Sequence, residues 1–99
     1  MVSPIFLRMA DLITDNADKN RFELIEQGHT SYADYKIDGG VLSIKYVFAP
    51  EELRGTGSAG RLMAGITDIA RTKGLKIVPI CGYAASWLRK HKEHHDLMA

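Results

Sequence analysis

Ninety-nine residues suit one compact domain and leave no room for a second core. Hydrophobic residues make up 45% and charged residues 25%, the balance of an ordinary soluble globular domain, which excludes a disordered, collagen-like or disulfide-stapled chain. A formal net charge of +1 lacks the basic footprint that neutralises a nucleic-acid backbone, and no apolar run approaches the ~20 residues that span a bilayer, so neither nucleic acid nor a membrane is an expected partner.

The single cysteine, Cys81, has no internal partner, which fits a reducing compartment; the expected location is the cytoplasm. Residues 2–8 are too short and too broken for a secretory segment, and Met9 is an alternative start that would make residues 1–8 an upstream extension. Residues 14–20 are polar and turn-rich and read as a loop, so residues 1–20 form an N-terminal extension and residues 21–99 the domain.

Residues 22–26 read as a short strand with a turn at Gly28. Residues 31–37 alternate with period two, Ala33, Tyr35 and Ile37 sharing one face, and Asp38-Gly39-Gly40 supplies a hairpin turn. Val41–Phe48 is the next strand. Leu42, Ile44, Tyr46 and Phe48 are expected on one face, but both faces are largely apolar, which predicts a strand inside the sheet. Pro50 ends it. Residues 51–57 form a loop, and the spacing of Leu62, Met63, Ile66, Ile69 and Ala70 predicts a helix over Ser58–Lys73 closed by Gly74. Residues 75–80 read as an apolar strand, residues 84–92 as a second helix, and residues 94–99 as a fraying tail. The expected class is therefore α+β, an antiparallel meander followed by a β-loop-α-β unit with a parallel strand and a C-terminal helix.

The segment Arg54-Gly55-Thr56-Gly57-Ser58-Ala59-Gly60 lies between a strand and a helix. Glycines allow close backbone approach, and the helix start offers unpaired N–H groups and a positive dipole end, which together suit a phosphate or pyrophosphate. Read literally, Gly55-x-Gly57-x-x-Gly60 is the dinucleotide pattern. Its context fails, because residues 49–53 separate it from the strand and no acidic residue closes the next strand. A Walker loop fails for want of a Lys-Ser or Lys-Thr pair. The bland alternative is a glycine-rich helix start with no ligand.

Arg54-x-x-Gly57-x-Ala59 resembles the coenzyme A signature of GNAT-type N-acetyltransferases. Arg21-Phe22-Glu23, the run from Ala49 to Gly57, and Ala70-Arg71-x-x-Gly74 continuing to Pro79-Ile80-Cys81-Gly82-Tyr83 are similar to the short single-domain branch of that superfamily. The resemblance implies a minimal GNAT-like mixed sheet that splays to hold acetyl-CoA. Coenzyme A pyrophosphate would sit on the loop at Arg54, Gly55, Thr56, Gly57, Ser58 and Ala59, with pantetheine along Tyr46, Val47 and Phe48 and the thioester near Cys81. It also implies an activity, acetyl transfer to an amine that the sequence does not name, with a second subunit left open. Relatives of this branch often read His-Thr-Glu-Val-Pro where this chain has Tyr46-Val47-Phe48-Ala49-Pro50, so a histidine and a carboxylate suited to acid–base work are missing. That gap keeps a second reading alive, an acyl-CoA-binding or sensing module without turnover; a third, a small protein-interaction domain of the same fold that has lost its ligand, is opposed by the intact loop from Arg54 to Ala59.

Acetyl transfer needs a donor for the developing oxyanion, loss of an amine proton and a proton for the leaving thiolate. Backbone amides near Val47 and Phe48 could supply the first. Tyr83 could supply the last, against the plainer reading of an amphipathic residue at the sheet edge. Cys81 could carry the acyl group, against the plainer reading of a small buried hydrophobe. Arg89 and Lys90, with His91, are expected to meet the coenzyme's phosphates. His91, His94 and His95 read as a basic surface cluster rather than a metal site, and Trp87 and Leu88 as core.

Overall fold

The computed structural model describes residues 8–99, so residues 1–7 of the expected N-terminal extension lie outside those described. Strands β1 (Thr14–Asn16), β2 (Arg21–Glu26), β3 (His29–Asp38), β4 (Val41–Phe48) and β5 (Lys76–Pro79) lie in sequence order in one sheet. Pairings from β1 to β4 are antiparallel and β4–β5 is parallel, with helix α1 (Ser58–Lys73) making the crossover and helix α2 (Gly82–Lys90) following β5. This is the α+β arrangement that the periodicities predict. No described helix is long and apolar enough to cross a membrane.

One sheet face is buried. Phe22, Leu24, Ala33, Tyr35, Leu42, Ile44 and Ile77 point from the strands onto Leu62, Met63, Ile66 and Ala70 of α1 and Ala84 and Leu88 of α2. Each large apolar side chain so buried stabilises the fold by about 1.5–3 kcal/mol. Both helices contribute to one cluster, so both cover the same face, and the residues alternating with Ala33 and Tyr35 point away from it.

Three segments differ from the sequence reading. Residues 14–16 form β1 where a loop is expected, because the Tyr35 hydroxyl donates to the Asp15 carboxylate and Ile13 packs on the core. The chain there lies so close to α1 that a Cβ on Gly65 would fall 2.4 Å from Ile13 Cγ1, so only glycine fits without movement. The tail does not fray: Leu97 is buried, the Ala99 amide donates to the Ile77 carbonyl at 3.0 Å, and Lys76 Nζ reaches the Asp96 carbonyl at 2.6 Å. Finally, α2 stops at Lys90 because His91 adopts φ −110°, ψ 76°. His91 and His95 therefore share no continued helix face. Nδ1 of His91 lies 2.7 Å from the Trp87 carbonyl and Nε2 of His95 lies 3.0 Å from the Leu88 carbonyl. Among the described residues no three His, Cys, Asp or Glu side chains gather as metal ligands.

The strand β4 carries an irregularity that decides which side chains reach the site. Asp34 pairs with Tyr46 and the next residue, Tyr35, pairs with Ile44, so Lys45 is an extra residue, a β-bulge. Beyond it the faces exchange. Val47, opposite buried Ala33, packs on the core. Tyr46 and Phe48, expected beside Leu42 and Ile44, instead join Tyr32 on the outer face, with ring centroids 6.4 and 5.1 Å from that of Tyr32.

A buried polar contact ties the sheet to the start of α1: Ser31 Oγ and Ser58 Oγ lie 2.7 Å apart. Removing one partner strands the other without water. Ser58→Ala is expected to cost about 1–3 kcal/mol, and adding Ser31→Ala to recover part of that loss. Urea unfolding of the two single variants and the double variant measures this; strictly additive losses would contradict it.

Candidate functional site

The β4–β5 ladder runs only from Val41–Lys76 to Ile44–Pro79. There the amides of both Ile80 and Cys81 donate to the Ile44 carbonyl, at 2.9 and 3.1 Å, and the chain turns away into α2. From Lys45 to Phe48, β4 continues with no strand beside it on that edge. A cavity of ≈ 400 Å³ opens at the divergence, lined by Tyr46, Val47, Phe48 and Ala49 of β4 and its exit, by Leu53, Arg54, Gly55, Gly57, Ser58, Ala59 and Gly60, and by Tyr83 of α2.

The glycine loop is shaped by backbone and by one arginine. Gly57 sits at φ 88°, in the left-handed region, as the residue capping α1, and no side chain caps the helix. A Cβ there would also lie 2.9 Å from Arg61 Nη1. The first intrahelical amide is that of Arg61, which donates to the Gly57 carbonyl at 3.0 Å. The amides before it have no partner within the helix and lie where the dipole is positive.

Arg61 holds this loop in place. Its Nε and Nη2 donate to the two oxygens of Glu26 at 2.8 and 3.0 Å, while Nη1 donates to the Thr56 carbonyl at 3.0 Å. Hydrogen bonding to Arg61, and then to Ser58, holds the Glu26 carboxyl below its ordinary range despite burial that works the other way. Sequence reading passed over this pair, which is 35 residues apart; its only trace is a helix-facing arginine one turn after the glycines.

Of the site residues expected from the sequence, Tyr46, Val47, Phe48, Arg54, Gly55, Gly57, Ser58, Ala59 and Tyr83 meet in this cavity. Ala49, Leu53 and Gly60 line it as well. Arg54 Nε donates to the Ala49 carbonyl at 3.0 Å, and its Cζ is 5.9 Å from the Phe48 ring centroid, so the guanidinium is anchored at the rim. Tyr83 is 42% exposed, and its pKa is raised by burial and then by Cys81, which keeps the phenol a proton donor near neutral pH.

Four expected residues do not line the cavity. Thr56 turns its hydroxyl inward to the Leu53 carbonyl at 2.6 Å. Cys81 is half-buried at the start of α2, packed against the core. Arg89 and Lys90 are exposed in the last turn of α2, about 9 and 10.5 Å along the axis from Tyr83 at 1.5 Å per residue. Arg89 borders a different, mostly apolar hollow with Pro79, Leu88 and Met98.

The Glu26–Arg61 pair predicts a pH dependence. A folded-state pKa below the ordinary 4.5 means that the carboxylate stabilises the fold above that pH and loses the contribution as pH falls through the lowered value. Stability against pH between about 5 and 3 is expected to be flatter in Glu26→Gln than in the natural chain. Thermal melts across that window check it; parallel curves would contradict it.

Three comparisons bear on this geometry. The family model described as GCN5-related N-acetyl-transferase matches residues 21–97. Among solved structures, the solution NMR structure of a GCN5-like protein from Staphylococcus aureus is similar with a TM-score of 0.70, covering 88% of this chain and 86% of that one at 23% identity, a likeness of fold. A search of curated protein sequences finds no match. The matched span takes in β2 through the C-terminal turn, with the parting strands and the glycine-lined helix start inside it, and the chain belongs to the GCN5-related N-acetyltransferase family.

Proposed function

We propose that the protein is an acetyl-CoA-dependent N-acetyltransferase whose cofactor-sized substrate lies in the gap between β4 and β5. The observation that carries this reading is the uncapped start of α1 facing the same cavity as the unpaired edge of β4. The amides leading into α1 suit a pyrophosphate, and anchored Arg54 adds a positive charge at the rim. The edge from Tyr46 to Phe48 offers backbone groups to the amides of pantetheine, as an added strand would. Acetyl-CoA is a substrate here, and the chain's own groups do the remaining work.

In the proposed step the amine nitrogen bonds to the thioester carbonyl carbon, the carbon–sulfur bond breaks, and the acetyl group leaves on nitrogen. A β4 amide near Val47 steadies the developing oxyanion. The Tyr83 hydroxyl gives its proton to the departing thiolate, and solvent takes the proton lost by the amine. Transfer is direct. Cys81 has no acyl-carrying role in this proposal, because its side chain packs on the core and does not line the cavity. Arg89 and Lys90, which do not line the cavity either, are given no phosphate contact in this proposal.

Gly57→Val puts a branched side chain at φ 88° against Arg61 and is expected to abolish coenzyme A binding in calorimetry while a variant on the outer surface of α1, Lys73→Ala, binds normally. Equal binding by Gly57→Val and the natural chain would contradict the site.

Tyr83→Phe is expected to lower kcat by about 10²-fold or more with little change in coenzyme A affinity, and Cys81→Ala to leave kcat within about twofold. An acetylated Cys81 trapped during turnover, or unchanged kcat in Tyr83→Phe, would contradict the direct route. Tight coenzyme A binding without turnover on any amine would favour the sensing module instead.

A further inference from the structure

A second cavity, of ≈ 670 Å³, adjoins the first: Tyr46 lines both. It lies between the start of β2, the later part of β3 and the bulge in β4, and its charged lining is Lys19, Arg21, Lys36 and Lys45 against the single carboxylate Asp34. Four cations to one anion is a sharp local excess in a chain whose net charge is +1. Asp34 neutralises only Arg21, at 2.9 Å from its Nε, and Arg21 is further fixed by lying 3.7 Å from the Tyr32 ring centroid. Among the described residues Lys19, Lys36 and Lys45 have no ion-pair partner within 4.0 Å, and all three are exposed. The bulge creates this asymmetry, because as the extra residue Lys45 is released from the alternation that fixes its neighbours.

We propose that this cavity is the acceptor site and that the acceptor is an amine carrying an anionic group, such as a carboxylate-bearing peptide or amino acid derivative. The inference rests on the acetyl-CoA reading above. With pyrophosphate at the start of α1 and pantetheine running back along β4 from Phe48, the acyl end emerges at Tyr46, where the second cavity begins. The lysines and Arg21 then hold the acceptor's acidic end and repel a polyamine.

Calorimetry on the full chain tests it with two probes, the peptide amides Gly-Glu-Glu and Gly-Lys-Lys, each with a free α-amine. Gly-Glu-Glu is expected to bind, to weaken as salt rises, and to weaken about tenfold in the double variant Lys36→Glu/Lys45→Glu, while coenzyme A binds that variant unchanged. Gly-Lys-Lys is expected to show no binding. Equal or tighter binding of Gly-Lys-Lys, or undiminished binding of Gly-Glu-Glu to the double variant, would overturn the proposal. Loss of coenzyme A affinity in the double variant would overturn it too, because the cavity would then be a phosphate site for the cofactor. Coenzyme A binding by the natural chain is a separate titration, so a failure of the acetyl-CoA reading is distinguishable from a failure of this one.

Discussion

Parallel pairing between β4 and β5 stops after four residue pairs, and most of what is distinctive in the molecule depends on where it stops. Two consecutive amides, those of Ile80 and Cys81, share the Ile44 carbonyl, which leaves β5 nothing further to donate to β4 and sends the chain into α2. β4 itself goes on for four more residues, held on its other edge by β3 through the Phe48–Tyr32 pair. An exposed strand edge is ordinarily a liability. Here a helix start and Tyr83 face it across the gap, so the edge belongs to a cavity rather than to open surface.

That cavity keeps its shape through a chain of polar contacts running from sheet to loop. Ser31 meets Ser58 at the start of α1, and Arg61 bonds both oxygens of Glu26 while also holding the Thr56 carbonyl. Every buried side-chain polar atom among the described residues has a partner, so this network fixes the loop without an unpaired group to destabilise it. The amides at the start of α1 are the contrast. They are capped by no side chain. A rigid loop around uncommitted donors is pre-organised for an anion, because little ordering remains to be done when one arrives.

Much of this was legible in the residues. The stripe from Leu62 to Ala70 predicts α1 with its observed bounds, and the glycine-rich segment between a strand and a helix lines the cavity. What escaped has physical reasons. β4 carries two equally apolar alternations, so the choice between them, made by the bulge at Lys45, depends on Tyr32 and Ala33 across the sheet. β1 is three polar residues long and is secured by Asp15 bonding to Tyr35, a contact no local pattern announces. The Arg61–Glu26 pair is equally non-local. Arg89 and Lys90, expected by charge to meet phosphates, lie in the last turn of α2 and are not among the residues lining the cavity.

The start of α1 and the free edge of β4 line one cavity, and the proposed acetyl transfer requires that they form one binding site. A crystal structure of the protein with coenzyme A tests it most directly. Pyrophosphate oxygens are expected within hydrogen-bonding distance of the amides between Gly57 and Gly60, with pantetheine amides paired with the β4 backbone between Tyr46 and Phe48. Coenzyme A bound elsewhere on the chain, or bound with its pantetheine arm away from β4, would contradict it.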